Sequence, residues 1–275
     1  MDIEQLARRQ LADYDRHDPG RVFEGYSIPM SVDDAYALQM AVAHLREERG
    51  ERVAGYKIGC TSQTLQAQLG IDRPVFGCVF ATETHSSGVV LDPGRFDGLA
   101  IEGEFAVRIA TDVPDAKWLQ THPHEAISSG FAVIELHNYV FRNTPHKVQE
   151  LIGNNALHAG VVLPASEPPL SDPLVLLDSS VTVSKDGAIL GTASGRALPE
   201  GPFGSVVRLA EHLARFGRFL RRGQIVLTGS PLPLYPVAAG DLIDVSSDRS
   251  ETVVCLIRSS SVDSCGAASK RTPLM

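Results

Sequence analysis

The stretch IEGEFAVRIA, residues 101–110, contains two glutamates, Glu102 and Glu104, separated by one glycine inside an otherwise apolar run. Such a run predicts a β-strand, in which alternate side chains face the same side of the sheet. The two carboxylates should therefore share one face, about 7 Å apart along the strand. Because like charges repel, this face needs water, a neighbouring cation or a bound metal ion.

A second predicted strand, FAVIELHNYVF at residues 131–141, carries a single glutamate, Glu135, after four apolar residues. A carboxylate rarely lies in a buried strand without a partner. Together with Glu102 and Glu104 it gives three carboxylates, which suit an octahedral oxygen site for Mg²⁺ or Mn²⁺. From spacing alone, the alternative is that both strands lie at the surface and that water solvates their acids.

Helical patterns occur mainly in the first part of the chain, and strand patterns follow. Apolar spacing and capping residues predict helices over residues 2–15, 31–50, 61–70 and 204–223. From about residue 73, short apolar runs alternate with Gly, Pro and Asp, which is typical of strands, and Asp186-Gly187 predicts a hairpin turn. The fold class is therefore α+β, with a large and mostly antiparallel β core.

We expect one structural unit with three segments along the chain. Residues 1–72 would form an N-terminal helical region, residues 73–258 a β-roll catalytic domain with the metal site, and residues 259–275 a disordered tail.

The composition favours a small-molecule ligand. The net charge of −8 and the isoelectric point near 5.6 argue against nucleic acid or an anionic membrane as partner, because both require a basic surface. No apolar run reaches transmembrane length, and the polar N-terminus lacks the apolar core of a secretory signal. These features predict a cytoplasmic location.

Seven blocks, in order, resemble the 2-keto-4-pentenoate hydratase and 4-oxalocrotonate decarboxylase family of the fumarylacetoacetate hydrolase superfamily. The resemblance covers roughly residues 30–250 and implies a mixed β-roll like the C-terminal domain of fumarylacetoacetase, preceded by a helical region. The blocks are GYKIGCTS (55–62), PVFGCVF (74–80), IEGEFAVRIA (101–110), VIELHNYVF (133–141), GNNALHAGVVL (153–163), SGRALPEGPFGSVVRLA (194–210) and IVLTGSPLPLYPVAAGD (225–241).

The resemblance also implies roles for individual residues. The metal, Mg²⁺ or Mn²⁺, would be bound by Glu102, Glu104 and Glu135, and Lys57 would be the active-site lysine. Four hydroxyl side chains lie where the family binds substrate, although each also suits a helix cap or a turn: Thr61, Ser62, Thr228 and Ser230.

The implied substrate is a small 2-oxo or 2-hydroxy acid. Such an acid can chelate the metal through its carboxylate and its C2 oxygen. Lys57 would offset charge and, if burial lowers its pKa, would move the proton when the dienol becomes an unsaturated ketone. Water would then add at C4 to give a 4-hydroxy-2-oxo acid, a reaction of aromatic-compound catabolism.

One block departs from the family's hydratase pattern. Where the pattern has Asp-Asn-Ala-Ser, this chain has Asn154-Asn155-Ala156-Leu157, so no carboxylate is available there to activate water. Asn155 keeps the amide and is the candidate for positioning water. His137 and His158 are candidate auxiliary bases, or alternatively structural histidines.

Three alternatives to the hydratase follow from the same residues. The same stabilised enolate would serve a 4-oxalocrotonate-type decarboxylase. An acylpyruvate hydrolase is less well supported, since no His and Glu dyad precedes Lys57. The altered block at 154–157 also suits a non-catalytic, metal-binding partner subunit. The resemblance implies a homo-oligomer, with association with a related hydratase or decarboxylase subunit as a further alternative.

Overall fold

The structure is a computed structural model that describes residues 1–26, 29–144 and 146–259. Residues 260–275 of the predicted tail therefore lie outside the described residues. Seven α-helices occur in the described chain: α1 (Ile3–Asp15), α2 (Val32–Glu48), α3 (Gln63–Leu69), α4 (Ala116–Thr121), α5 (Pro123–Ala126), α6 (Val148–Gly153) and α7 (Gly201–Ala214). Short 3₁₀ turns lie at Arg21–Tyr26, Ala81–Glu83, Pro93–Arg95, Asn155–Leu157, Pro173–Leu177 and Gly195–Ala197.

The three predicted N-terminal helices are confirmed, and their ends follow the capping residues. Ser31 and Asp34 form a reciprocal capping box at the start of α2. Ser62 caps α3, and Gly70 ends it in the left-handed conformation at φ 67°.

The fourth predicted helix is shorter than expected. The sequence predicted a helix to residue 223, but α7 ends at Ala214. Gly217 adopts φ 66°, a left-handed conformation that ends a helix. Beyond this point Leu220 is buried, but it lies outside any helix.

The strands of the described chain form two sheets. They are β1 (Val53–Gly59), β2 (Val75–Phe80), β3 (Thr84–Ser86), β4 (Val89–Leu91), β5 (Leu99–Ile109), β6 (Ile127–Asn138), β7 (His158–Leu163), β8 (Ser180–Lys185), β9 (Ala188–Ser194), β10 (Ile225–Leu227), β11 (Tyr235–Pro236), β12 (Leu242–Ser247) and β13 (Val253–Ile257). The first sheet has the order β2-β1-β10-β5-β6-β7-β3, with β11 also paired to β5, and the second has the order β4-β13-β12-β8-β9.

Most strand pairs are antiparallel, as the sequence predicted. Within the described residues, the parallel pairs are β1 with β10, β4 with β13 and β3 with β7. The predicted hairpin joins β8 to β9, and both turn residues, Asp186 and Gly187, have positive φ angles.

Strand β1 belongs to the first sheet although it lies within the segment expected to be helical. It pairs with β2 on one side and with β10 on the other. The division of the chain at residue 72 stays a prediction. Strand β1, which precedes this residue, is an interior strand of the first sheet.

The glycine between the two acids of β5 is explained by sheet packing. Gly103 faces the second sheet, where an added methyl group would lie 2.4 Å from Cγ2 of Val183 and 3.2 Å from a methyl group of Val245. The glycine therefore allows the two sheets to approach closely. Its neighbours Glu102 and Glu104 point to the opposite side, which we call the acidic face.

A buried arginine fixes the N-terminal helices to the first sheet. The guanidinium of Arg46 in α2 lies 3.5 Å from the ring centre of Phe80 in β2 and pairs with Glu83 at 2.8 Å and with Glu51 at 2.5 Å. The hydroxyl of Tyr14 in α1 also donates to Glu83. In the described part of the chain, no helix has both the length and the apolar character that crossing a membrane requires.

Candidate active site

The register of three strands brings the predicted metal ligands and the predicted lysine together. Glu102 of β5 lies directly opposite Glu135 of β6, and Glu104 follows two residues along the same face. Strand β1 places Lys57 against them, with Nζ 3.2 Å from Oε1 of Glu135. Glu104 and Glu135 are completely buried, whereas the side chain of Glu102 is 20% exposed. Glu102 therefore marks the open end of the site.

Lys57 is a buried ammonium group. Its side chain is 2% exposed, and Nζ would lie 3.0 Å from a methyl group at Gly59, so this glycine makes room for the amine. Burial lowers the pKa of Lys57, but Glu135, Glu102 and Glu104 together outweigh burial and hold the pKa above its usual value. Proton transfer by Lys57 stays a prediction.

Glu104 is bound on one oxygen only. Its Oε2 accepts a hydrogen bond of 2.5 Å from the backbone N–H of Gly229, while Oε1 is buried without a hydrogen-bond partner. Burial, followed by repulsion from Glu135 and Glu102, raises the pKa of Glu104 well above its usual value.

Glu135 lies next to three basic side chains of the site. Its Oε1 accepts from Nδ1 of His158 at 2.7 Å and forms an ion pair with Nζ of Lys57. Its Oε2 is buried without a hydrogen-bond partner. Burial alone would raise the pKa of Glu135, but Lys57 and His137 outweigh it and hold the pKa well below its usual value.

His137 joins the carboxylates from the next position on the same face. Its Nε2 lies 3.2 Å from Oε2 of Glu102 and 3.4 Å from Oε2 of Glu135. Burial lowers the pKa of His137, but the two glutamates outweigh burial and raise it to about 9. Glu102, Glu135 and His137 bring one ligand atom each within 4.8 Å of one another.

These residues fit a divalent cation. Oε1 of Glu104 and Oε2 of Glu135 are buried and lack hydrogen-bond partners, which is costly for acids unless a cation binds them. Carboxylate oxygens are also the ligands that Mg²⁺ and Mn²⁺ prefer.

The side chain of Asn155 bonds to the backbone of β2. Its side-chain Oδ1 accepts from the N–H of Cys78 at 2.7 Å, and its Nδ2 donates to the carbonyl of Cys78 at 2.8 Å. Both polar atoms of the amide are therefore engaged with the edge of β2. One N–H of the amide and one lone pair of Oδ1 are not used by these two bonds, so the role of Asn155 in positioning water stays a prediction.

Three of the predicted substrate-binding hydroxyls contact the backbone of the protein. Ser62 Oγ accepts from the N–H of Leu65 as the cap of α3. Thr228 Oγ1 donates to the carbonyl of Phe105 at 2.9 Å.

The third is Ser230, whose Oγ lies 3.1 Å from the carbonyl oxygen of Gly103 and 2.9 Å from that of Leu232. Ser62 is thus a helix cap and Ser230 a turn residue, while Thr228 bonds to β5. Substrate binding by these hydroxyls stays a prediction. Thr61 packs beside Gly229, where a methyl group would lie 2.7 Å from Cγ2 of Thr61.

Two residues of the site escaped sequence reasoning. The backbone N–H of Gly229 donates to Glu104, and the φ of 93° at Gly229 favours glycine. Cys60 follows β1 with φ 54°, and burial raises the pKa of its thiol to about 11, which keeps the thiol protonated. For Gly229, the available signal in the sequence was its position in the turn LTGSP.

A cavity of about 640 Å³ reaches His158 from the side of the N-terminal helices. Its lining, within the described chain, includes Gln10, Arg46, Phe80 and Leu157 as well as His158, but none of the three glutamates. Nε2 of His158 is buried without a hydrogen-bond partner. His158 therefore lies between Glu135 and this cavity.

Comparison with known proteins identifies the family. The chain is 33% identical over 205 residues to 2-keto-4-pentenoate hydratase from Burkholderia vietnamiensis, covering 74% of this chain and 78% of that relative. It is 30% identical over 218 residues to 2-hydroxyhexa-2,4-dienoate hydratase from Comamonas testosteroni, covering 78% and 82%. No protein-family model matches the chain.

Solved structures share the fold. A 4-oxalocrotonate decarboxylase from Pseudomonas putida G7, in a complex with calcium and acetate, matches with a TM-score of 0.81 and 25% identity, covering 93% of this chain and 96% of that one. A fumarylpyruvate hydrolase from Pseudomonas aeruginosa, in a complex with Mn²⁺ and pyruvate, matches with a TM-score of 0.56 and 16% identity, covering 74% and 89%, which shows the fold alone.

The fold is thus the β-roll of the fumarylacetoacetate hydrolase superfamily, as predicted. Within it, the chain belongs to the 2-keto-4-pentenoate hydratase family of lyases. The metal-bound neighbours and the clustered acids together support a divalent metal at this site.

Proposed function

We propose that this protein adds water to a 2-hydroxy-2,4-dienoate and releases a 4-hydroxy-2-oxo acid. The observation that carries the proposal is the grouping of Glu102, Glu104 and Glu135 with buried Lys57, in a chain about 30% identical to hydratases of such dienoates. The proposed cofactor is Mg²⁺ or Mn²⁺, held by these three glutamates. When bound, it supplies a positive charge that polarises the 2-oxo group.

Lys57 is proposed to bind and orient the substrate. Its ammonium is held among carboxylates at the centre of the site, 3.2 Å from Glu135. A cation in this position attracts an anionic carboxylate and stabilises negative charge on the neighbouring oxygen as the dienol becomes the ketone. The raised pKa suits this electrostatic role.

His158 is proposed as the base that activates water, in place of the missing carboxylate at position 154. Glu135 is ionised and can only accept, so Nδ1 of His158 carries the proton of their 2.7 Å hydrogen bond. A neutral imidazole then has a lone pair on Nε2, which has no other partner. In the hydration step, the water oxygen bonds to C4, one water proton passes to Nε2, and the C3=C4 electron pair moves towards the C2 oxygen. The 2-oxo group then re-forms as C3 takes back the proton that Nε2 received.

Decarboxylation of a 2-oxo-3-enedioate is the second candidate. It is favoured by the structural match to the solved decarboxylase, which extends over 96% of the decarboxylase chain. The altered segment at Asn154 and Asn155 also removes the acid expected of a hydratase. In this reaction the bond to the distal carboxylate breaks, CO₂ leaves, and the electron pair moves towards the C2 oxygen.

The product mass separates these functions. The purified full chain is incubated with 2-hydroxypenta-2,4-dienoate or with its six-carbon dicarboxylate analogue, with Mg²⁺ or Mn²⁺, or with chelator. Gain of one water on the first substrate is expected, and loss of CO₂ from the second would replace the hydratase by the decarboxylase. Glu104→Gln is the matched control that should abolish the metal-dependent reaction, since it removes one negative ligand.

Unchanged masses with every substrate would refute both reactions. If the metal still binds in that case, the result supports a non-catalytic partner subunit. The homo-oligomeric state, association with a related subunit and the cytoplasmic location stay predictions from the family resemblance and the sequence.

A further inference from the structure

His137 occupies a position that the three-glutamate site does not require. It lies two residues after Glu135 on β6, and the register shifts at this point between β6 and β7, where His137 pairs with His158. His137 is 4% exposed. Its imidazole is therefore directed at the acids and away from solvent.

The contacts of Nε2 are not those of an aligned hydrogen bond. Nε2 lies near Glu102 and Glu135 at 3.2 and 3.4 Å, yet it is buried without a hydrogen-bond partner of acceptable geometry. Oε2 of Glu135 is also buried without a hydrogen-bond partner. Two ligand atoms that bind one ion at about 2.1 Å and at right angles lie about 3 Å apart. The observed separations are close to this value.

We propose that His137 is a fourth protein ligand of the divalent metal, through Nε2, and that this nitrogen gives the site a preference for Mn²⁺ over Mg²⁺. The proposal rests on the metal site of the proposed function and extends it by one residue. Imidazole suits transition metals, whereas Mg²⁺ favours oxygen ligands and retains water. A site of oxygen ligands alone would lack this source of discrimination.

The fourth ligand also limits how substrate binds. If Glu102, Glu104, Glu135 and His137 each gave one donor atom, a six-coordinate ion would have two positions left. The carboxylate and C2 oxygen of a 2-oxo acid would fill these two positions. Water for the hydration must then come from outside the metal's ligands. His158, which borders the 640 Å³ cavity, is placed to receive it from that side.

Pulsed electron paramagnetic resonance of bound Mn²⁺ tests the ligand directly. The full chain is loaded with Mn²⁺ after growth with ¹⁴N- or ¹⁵N-labelled histidine, and electron spin-echo modulation from a coordinated imidazole nitrogen is recorded. We expect this modulation in the parent protein, a change in it with the isotope, and its loss in His137→Gln. His158→Gln is the matched control and should retain the nitrogen modulation. Nδ1 of His158 contacts Oε1 of Glu135, whereas the proposed metal lies next to Oε2.

Equilibrium dialysis measures the metal preference independently of turnover. We expect His137→Gln to weaken Mn²⁺ binding by about tenfold or more and Mg²⁺ binding by less than about threefold. The preference for Mn²⁺ should therefore fall in this variant and persist in His158→Gln.

The outcomes distinguish this proposal from the proposed function. Mn²⁺ that binds without histidine modulation, or modulation lost only in His158→Gln, overturns the role of His137 and leaves the three-glutamate site in place. Failure of the parent protein to bind either metal overturns the metal-dependent function as well. Equal losses of Mn²⁺ and Mg²⁺ affinity in His137→Gln overturn the stated preference.

Discussion

Replacement of Gly103 by alanine should separate the two sheets and disturb the metal site. The added methyl group would lie 2.4 Å from Cγ2 of Val183 and within 3.3 Å of both methyl groups of Val245. Unbonded carbon atoms are normally at least about 3.5 Å apart, so one sheet must move by about 1 Å. Overpacking of this kind costs about 1–3 kcal/mol in the free energy of unfolding.

Removal of the opposing methyl groups should restore the space. Val183→Ala alone is expected to cost about 2–3 kcal/mol, from lost apolar burial and the cavity that remains. Combined with Gly103→Ala, it should cost about 1–2 kcal/mol less than the sum of the single variants, since each change relieves the other. Urea unfolding of the four proteins of this cycle gives the coupling.

The control is Val181→Ala, at a buried valine of β8, the strand that also contains Val183. Its cost in the free energy of unfolding should add to that of Gly103→Ala. Because Glu102 and Glu104 flank the altered residue, Gly103→Ala should also weaken Mn²⁺ binding, and the Val183→Ala partner should recover part of it. Unchanged stability of Gly103→Ala, or additive costs with Val183→Ala, would refute the close packing of the sheets as the reason for this glycine.

Two further changes test the lysine and a buried histidine. Lys57→Met should still bind Mn²⁺ but lose turnover by about 100-fold or more. Without metal, its free energy of unfolding should fall by about 3 kcal/mol, because Glu135 loses a counterion at 3.2 Å. Full activity in kinetic assays would contradict this role of Lys57. His212 stacks on Phe76 with ring centres 4.3 Å apart, and burial, with Arg215 and Arg73, lowers its pKa to about 4. The unfolded chain binds this proton more readily, so stability should fall as the pH falls from about 6.5 towards 4, by about 2 kcal/mol at pH 5. Urea unfolding at pH 7.5 and pH 5 should show this loss in the parent protein and its absence in His212→Phe; an equal loss in both would remove His212 as the cause.

The sequence by itself determined the local elements and the faces of the main strands. Period-two alternation placed Glu102 and Glu104 on one side of β5, and capping residues defined the N-terminal helices. These properties depend on residues close together in the chain, which is why pattern and capping rules predict them. Such rules failed at the end of α7, which was expected at residue 223. The apolar spacing continued past Gly217, whose left-handed conformation is not helical.

Tertiary structure decided which predicted side chains are available for chemistry. Asn155 bonds to the backbone of Cys78, 77 residues away in sequence, which orients its amide. Lys57 meets glutamates of two other strands, which reverse the effect of burial on its pKa. The proximity of His137 to Glu102 depends on strand register. Hydrogen bonding, pKa and metal geometry arise from contacts between distant residues, and no local pattern contains the distances that decide them.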